Sequence, residues 1–194
     1  MVNLVLVSHS PSLVAGVVEL ARAMTQQSRV VIATAAGTGA PKHPLGTNAE
    51  KIRRAIEVAY SDDGVLVLMD LGSAILSAEM ALDFLPEAQR KNVRLCAAPM
   101  IEGAIAAAVQ ASLGGTLDQV VAEALGALAS KSEGLSHYAQ PEVVAVPPTA
   151  LTDAQVLILK IENPLGLHAR PAALFVQTAA RFKSEIQIAR AAND

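Results

Sequence analysis

Short apolar runs that stop at a polar side chain determine what this chain can fold into. Residues 2–7 lead into Ser8-His9, residues 65–69 lead into Asp70, and residues 93–97 form a third run. Near-continuous apolar runs of this length are typical of strands that are buried on both faces of a parallel sheet. Helical periodicity between the runs predicts right-handed crossovers, which bring the carboxyl ends of all strands to one edge of the sheet.

The other segments extend this alternation of strands and helices. Apolar residues make up 52% of the chain and charged residues 17%, so the composition supplies a core and is not that of a disordered protein. The predicted fold class is α/β, with a mostly parallel open sheet and helices on both faces. The further predicted elements are a strand at residues 29–33, a helix that a capping box at residues 47–50 opens and that ends near Tyr60, a helix from Ser73 to Phe84, an alanine-rich helix at residues 102–113, and a helix from Thr116 to about Lys131.

A change of composition near residue 134 divides the chain. We predict a first domain at residues 1–133 and, because residues 134–153 contain three prolines and no helical period, a linker over that stretch. Residues 154–194 form a third part, which at about 40 residues is at the lower limit for an independent fold. We therefore expect this part to be an incomplete domain and the sequence to be a piece of a longer protein. Its predicted elements are a strand at 155–161, a helix at 169–182 and the beginning of a strand at 185–189.

Charge and cysteine content exclude several classes of function. The net charge is −3 and no basic cluster occurs, which argues against nucleic acid as a partner. Cys96 is the single cysteine, so we expect neither a disulfide framework nor a metal site. The N-terminus has no basic n-region, and the apolar stretches are shorter than the roughly 20 residues of a membrane span. We expect a cytoplasmic protein without a membrane partner.

His9, Asp70 and the loop at residues 37–46 each follow a predicted strand, so we expect them to meet in one crevice at the carboxyl edge of the sheet. A neutral imidazole is a good nucleophile toward phosphoryl groups near pH 7 because its unperturbed pKa is about 6.5. Asp70 can orient such a ring, and the glycines of Gly37-Thr38-Gly39 can offer N–H groups to an anion. Three plainer interpretations stay open at this point: a strand-end histidine with satisfied hydrogen bonds, an Asp70 that caps the next helix, and an ordinary long loop.

A second candidate histidine, His168, lies near the other end of the chain, just before a predicted helix with Pro171 in its first turn. A phosphate on this ring would meet unpaired N–H groups and the positive end of the helix dipole. Arg170 can add a bidentate guanidinium. From the residues alone, an N-cap histidine beside a surface arginine is an equal alternative.

Asn163-Pro164-Leu165-Gly166-Leu167-His168-Ala169-Arg170-Pro171-Ala172 closely resembles the active-site signature of HPr, the histidine phosphocarrier of the bacterial phosphotransferase system. The resemblance covers residues 155–194, less than half of an HPr domain. It implies that His168 is a phosphohistidine, modified on Nδ1 in that family, and that Arg170 is the partner of its phosphate.

The stretches Leu4–Ser10 and Val67–Ala74, with the loop at residues 37–46, resemble the mannose-type EIIA domain of the same system. The motif Asp-Leu-Gly-Ser-Ala at residues 70–74 and the fusion to an HPr-like segment resemble those of the phosphotransfer subunits of dihydroxyacetone kinase. This resemblance implies that His9 is phosphorylated and that Asp70 supports it. It also implies a phosphate site formed by Thr38 and Ser73, with Gly39 beside them.

The expected function is a phosphohistidine relay with no bound cofactor. Phosphoenolpyruvate would supply the phosphoryl group through enzyme I and HPr, His9 would accept it, and ADP on the nucleotide-binding subunit of dihydroxyacetone kinase would receive it. The resemblance further implies a homodimer that works with the ADP-binding and substrate-binding subunits of the kinase. The alternatives are a phosphorylation-sensing module, an EIIA component of a sugar transporter, and an unrelated flavodoxin-like enzyme or nucleotide binder.

Overall fold

Four parallel strands in the order β2-β1-β3-β4 form the sheet of the computed structural model. β1 covers Asn3–Ser8, β2 covers Ile32–Ala36, β3 covers Val65–Met69 and β4 covers Val93–Cys96. All three strand pairs are parallel, so every strand ends at the same edge of the sheet. The predicted α/β fold with a parallel sheet is confirmed.

The structure describes residues 1–25, 28–40, 44–138, 157–159, 175–176, 178–179, 181–184 and 186. The chain divides into two compact units, Met1–His137 and Tyr138–Asp194.

Helices connect the strands of the first unit. None of the helices among the described residues is long and apolar enough to cross a bilayer. The bounds are α1 Pro11–Met24, α2 Ala49–Ala59, α3 Gly72–Asp83, α4 Glu87–Arg90, α5 Met100–Ser112, α6 Leu117–Gly126 and α7 Ala129–Gly134.

Leucines and valines alternate along the two central strands, and the alternation separates two apolar cores. Because successive side chains of a strand point to opposite faces, the leucines of β1 and β3 join the core under α1, α5 and α6, whereas their valines join the core under α2 and α3. Helices therefore cover both faces of the sheet, as predicted. The strand residues of the first core are Leu4, Leu6, Leu66 and Leu68, and those of the second are Val5, Val7, Val65 and Val67.

The second strand lies three residues later than predicted, at Ile32–Ala36 rather than at residues 29–33. Its residues are fixed by pairing with β1, in which Leu4 lies opposite Ile32 and Ser8 opposite Ala36. The sequence of β2 is mostly alanine, which has little preference for strands, so tertiary pairing and not local propensity decides its position. As a result the loop begins at Gly37, directly beside the end of β1.

Two helix predictions are also wrong in detail. The capping box predicted at residues 47–50 does not form, because Asn48 is the N-cap of α2 and its side chain accepts a hydrogen bond from the Lys51 N–H. The helix predicted from Thr116 to about Lys131 is divided into α6 and α7.

In the second unit the described residues bear only on parts of the predictions. Phe175, Val176, Thr178 and Ala179 are helical and fall within the predicted helix, whereas Leu157–Leu159 are not in a strand. The remainder of the predicted strands and helix lies outside the described residues.

Gly103 allows α5 to approach its neighbours closely, and we predict that Gly103→Ala destabilises the fold. A Cβ at Gly103 would lie 2.9 Å from the Ala98 Cβ and 3.2 Å from the Ala124 carbonyl oxygen, neither of which can rotate away. We expect a loss of about 1–2 kcal/mol in the free energy of unfolding, measured by urea denaturation.

Gly16→Ala is the matched control, because Gly16 lies inside α1 with nothing within 4 Å of its would-be Cβ. The same substitution there should stabilise the protein by about 0.5–1 kcal/mol through helix propensity. A Gly103→Ala variant as stable as wild type would contradict the close packing of α5.

Candidate active site

His9 lies just beyond the carboxyl end of β1, between two neighbouring strands. β2 flanks β1 on one side and β3 on the other, so the chain leaves β1 toward β2 and leaves β3 toward β4, in opposite directions. In open α/β sheets this switch point is where ligands bind. Because Val7 pairs with Met69, the chain segments that carry His9 and Asp70 leave the sheet at the same level.

The carboxylate of Asp70 is held by four donors. Its Oδ1 accepts hydrogen bonds from the His9 ring Nδ1 at 2.9 Å and from the Leu71 N–H at 2.7 Å. Its Oδ2 accepts from the Ser8 hydroxyl and from the His9 N–H, both at 2.8 Å. The N-cap of α3 is Leu71, so the interpretation of Asp70 as the cap of that helix is wrong.

These hydrogen bonds control the ionisation of Asp70. Burial by itself raises the pKa of a carboxyl group. The bonds from the His9 N–H, the His9 ring, the Ser8 hydroxyl and the Leu71 N–H outweigh burial, and the pKa of Asp70 is lowered below its ordinary value. Asp70 is therefore a carboxylate at neutral pH.

The opposite ring nitrogen of His9 faces Ser73. The distance from Nε2 to the Ser73 Oγ is 2.6 Å. An ionised carboxylate can only accept, so the hydrogen-bond network assigns the proton to Nδ1. Nε2 then carries a lone pair to which the Ser73 hydroxyl donates, and this lone pair makes Nε2 the nucleophilic atom of the ring.

Exposure differs between the two members of the pair. The His9 side chain is 23% exposed and the Asp70 side chain 14%. Nε2 also lies at the first turn of α3, whose N-cap makes no side-chain hydrogen bond. A helix N-terminus favours an anion at this position, so the ring, its orienting carboxylate and the α3 terminus together suit the attachment of a phosphoryl group.

The loop after β2 folds against the backbone of His9. The Gly37 N–H donates to the Ser8 carbonyl oxygen and the Gly46 N–H to the His9 carbonyl oxygen, both at 3.0 Å. Gly37 has φ +67°, and a Cβ there would clash with the Pro44 carbonyl oxygen, so only glycine fits this turn. The loop, His9 and Asp70 thus share one edge of the sheet.

The predicted phosphate-binding residues differ in where the structure places them. Ser73 is in contact with the His9 ring. Thr38 donates its N–H to the Pro44 carbonyl oxygen and accepts a bond from the Ala40 N–H, and Gly39 lies against the Lys51 side chain. A role of Thr38 and Gly39 in phosphate binding stays a prediction.

His168 and Arg170 lie outside the described residues, so their predicted roles stay predictions. Within the part of the first unit that the structure describes, no group of three His, Cys, Asp or Glu side chains is placed to hold a metal ion.

Ser8 was not among the predicted site residues, although its hydroxyl donates to Asp70 and accepts from the Ser10 N–H at 3.0 Å. A signal was present, because Ser8 is a polar residue at the end of an otherwise apolar strand and is fully buried. A buried hydroxyl requires a partner, which points to the carboxylate at the end of the neighbouring strand.

Family models match both parts of the chain. The model of the PTS system fructose IIA component matches residues 3–121, and that of the PTS HPr component phosphorylation site matches residues 158–194. The first unit is therefore a IIA component of the phosphotransferase system. This class is defined by its parallel sheet, by the histidine at the end of β1 and by the family model that it matches.

Curated relatives narrow this class. The chain is 45% identical over 187 residues to the "PEP-dependent dihydroxyacetone kinase, phosphoryl donor subunit DhaM" of Escherichia coli K12, covering 96% of this chain and 40% of that protein. It is 36% identical over 123 residues to the "PEP-dependent dihydroxyacetone kinase 2, phosphoryl donor subunit DhaM" of Listeria innocua, covering 63% of this chain and 96% of that protein. The chain belongs to the DhaM family of phosphoryl donor subunits.

Two further comparisons describe its extent and fold. A relative from Klebsiella michiganensis with the same DhaM name is 44% identical over 188 residues; the chain spans 40% of the length of this relative and of the Escherichia coli one. A crystal structure described as the "unknown function protein EF1359" is similar with a TM-score of 0.58 and 38% identity, covering 64% of this chain and 93% of that one.

We predict that removal of one donor from Asp70, in Ser8→Ala, raises the pKa of this carboxyl toward its ordinary value. A carboxylate with a lowered pKa in the folded state stabilises the fold above its unfolded pKa of about 3.9, and this contribution is lost as the pH falls through the folded pKa. Ser8→Ala should therefore be less stable than wild type at pH 7, and the difference should shrink toward pH 2. Carbon-13 NMR titration of the carboxyl group and urea denaturation at both pH values measure the two effects.

Ser112→Ala is the control for this prediction, because that hydroxyl donates to the Val109 carbonyl oxygen in its own helix. The pKa of Asp70 should not move in this variant. An unchanged pKa in Ser8→Ala would contradict the role given to the Ser8 hydroxyl.

Proposed function

We propose that the chain is a phosphohistidine relay in which Nε2 of His9 accepts a phosphoryl group and passes it to ADP on a dihydroxyacetone kinase subunit. The observation that carries this proposal is the ring of His9, held at Nδ1 by Asp70 and presenting Nε2 to Ser73 at the start of α3. The geometry gives the ring a fixed tautomer with an unprotonated, nucleophilic nitrogen at Nε2. Phosphoryl transfer asks a protein mainly for such positioning and for stabilisation of charge.

In the loading step a phosphoryl group moves from a donor histidine to His9. The Nε2 lone pair attacks phosphorus, an N–P bond forms at His9, and the N–P bond of the donor histidine breaks with its electron pair returning to the donor ring. Because Nδ1 of His9 keeps its proton, the phosphorylated ring carries a positive charge, which the Asp70 carboxylate at 2.9 Å stabilises. The donor ring, protonated at its second nitrogen, leaves as neutral imidazole.

In the unloading step a terminal phosphate oxygen of ADP attacks phosphorus. The N–P bond at His9 breaks, its electron pair returns to Nε2, and ATP forms while the ring becomes neutral again. The ATP then phosphorylates dihydroxyacetone on the kinase. The words "phosphoryl donor subunit" in the names of the DhaM relatives support this direction of transfer.

For the donor we propose an HPr-type histidine that enzyme I charges from phosphoenolpyruvate. The match of residues 158–194 to the HPr phosphorylation-site model supports His168 as such a histidine, with Arg170 as the partner of its phosphate. Free HPr can take the same place. The chain itself would need no bound cofactor.

Exposed apolar side chains support a protein as the exchange partner. Leu71 and Ile75 at the start of α3 are 49% and 45% exposed, and Leu45 in the loop before α2 is 66% exposed. Each is a close neighbour in the chain of a residue that contacts His9, and apolar surface beside a reactive group suits transient docking.

We further propose that the protein acts in the cytoplasm as a homodimer.

We predict that phosphoenolpyruvate, enzyme I and HPr place an acid-labile, base-stable phosphoryl label on His9. The test uses the chain with His168→Ala, so that His9 is the labelled site under study, and compares it with the same chain carrying His9→Ala in addition. The label should be lost in the double variant. In the parent chain the label should be transferred from His9 to ADP when the ADP-loaded kinase subunit is added.

His137→Ala in place of His9→Ala is the control, because His137 is an exposed histidine of the first unit; its label should equal that of the parent. A parent chain that takes up no label would refute the relay. A label that forms on His9 but is not transferred to ADP would instead support the phosphorylation-sensing alternative.

We also predict that Asp70→Asn slows loading of His9 at least tenfold without unfolding the protein. The amide group cannot carry the charge that stabilises the phosphorylated ring, and its NH₂ would face the donors that now bind the carboxylate. Quench-flow measurement of label formation gives the loading rate, and circular dichroism shows whether the variant is folded. In the control Asp83→Asn, which changes a carboxylate that is 75% exposed, the rate should stay within twofold of wild type, and an equal rate in Asp70→Asn would remove Asp70 from the mechanism.

A further inference from the structure

The Thr47 hydroxyl is bonded to the helix that carries Ser73 and does not cap α2, the helix that follows it. Its Oγ1 lies 2.7 Å from the Ser77 Oγ, while Asn48 caps α2. We infer that Thr47 is a positioning residue for phosphoryl transfer at His9, acting through Ser77 and Ser73. This inference rests on the proposed relay and adds to it a residue outside the His9–Asp70 pair.

The direction of the hydrogen bonds follows from the number of protons. The Ser77 hydroxyl donates to the Ser73 carbonyl oxygen at 3.2 Å, and a hydroxyl has only one proton to donate. With this proton donated to the Ser73 carbonyl oxygen, the Ser77 oxygen accepts from the Thr47 hydroxyl. The result is a directed chain from the Thr47 O–H through the Ser77 O–H to the backbone of Ser73.

The segment that contains Thr47 also holds His9. The Gly46 N–H donates to the His9 carbonyl oxygen at 3.0 Å, and Thr47 is the next residue. Two adjacent residues thus hold the two groups that must stay in register, namely the backbone of the nucleophile and, through Ser77, the first turn of α3. A shift of this segment would move Ser73 relative to Nε2.

Besides the bond from the Leu71 N–H to Asp70 and the burial of Ala74, the start of α3 has few restraints among its described side chains. Its N-cap Leu71 makes no side-chain hydrogen bond, and the side chains of Leu71 and Ile75 in this region are exposed. The Thr47–Ser77 bond links the second turn of α3 to the loop, and the Ser77 hydroxyl connects it to the Ser73 carbonyl oxygen in the first turn. Because the Ser73 Oγ lies 2.6 Å from Nε2, a displacement of a few tenths of an ångström changes this contact directly.

The first experiment needs no phosphoryl donor. Long-range proton–nitrogen NMR of the unphosphorylated full chain measures the Nε2 resonance of His9, which reports the hydrogen bond from Ser73. We expect the resonance to shift in Thr47→Val, which keeps the shape of the side chain and removes the hydroxyl, and to stay at the wild-type position in Thr47→Ser. Ser77→Ala should produce a shift in the same direction as Thr47→Val.

The second experiment measures loading of His9 by phosphoenolpyruvate, enzyme I and HPr in the His168→Ala background. We expect Thr47→Val to load about three- to tenfold more slowly, the loss that corresponds to one hydrogen bond, and Thr47→Ser to load within twofold of the parent. The double variant Thr47→Val/Ser77→Ala should load no more slowly than the slower single variant, since both act on one chain of bonds.

Thr25→Val is the control for a purely structural threonine. The buried Thr25 hydroxyl donates to the Ala21 carbonyl oxygen at the end of α1. This variant should lose stability while its His9 resonance and loading rate stay those of the parent. If Thr47→Val proves unstable at the assay temperature, Ser77→Ala carries both measurements.

The outcomes separate this inference from the relay itself. A folded Thr47→Val or Ser77→Ala chain with the parent's Nε2 resonance and loading rate would overturn the role of Thr47. A parent chain that takes up no label refutes the relay, while the NMR comparison still decides whether Thr47 positions Ser73.

Discussion

The carboxylate of Asp70 is the group on which the rest of the site depends. It joins the ends of β1 and β3, because three of its four donors come from Ser8 and His9 and the fourth is the Leu71 N–H. A carboxylate with four donors keeps its charge despite partial burial. That charge fixes the proton on Nδ1 of His9, and the lone pair on Nε2 follows from it. The nucleophilic character of Nε2 thus depends on the contact between the ends of β1 and β3.

In the proposed relay the same arrangement serves two states of the ring. With Nε2 unmodified, the Ser73 hydroxyl donates to its lone pair. Once a phosphoryl group occupies Nε2, that lone pair is used, and the hydroxyl can donate to a phosphoryl oxygen instead. Asp70 then stabilises the cationic ring but repels the phosphoryl anion across it. These opposing effects keep the phosphorylated ring from becoming so stable that it could not pass the group on.

Strand ends were predictable from the sequence because apolar runs and their polar terminators are local signals. His9 and Asp70 were placed together for this reason, and their contact confirms the placement. The position of β2 was not predictable, since its alanines take their register from β1. Thr47 was misplaced for a related reason. Both Thr47 and Asn48 are good N-caps, and only the position of Ser77 on another helix decides between them.

The late start of the loop after β2 explains why three separate segments can build one site. Because β2 continues to Ala36, the turn at Gly37 lies beside Ser8, and its N–H bonds to the Ser8 carbonyl oxygen. Nine residues later the Gly46 N–H bonds to the His9 carbonyl oxygen, so the loop leaves and returns to consecutive residues of the β1 end. A strand that ended at residue 33 would begin this loop three residues too early for that contact. The register of β2 therefore brings the end of this loop, and with it Thr47, to the backbone of His9.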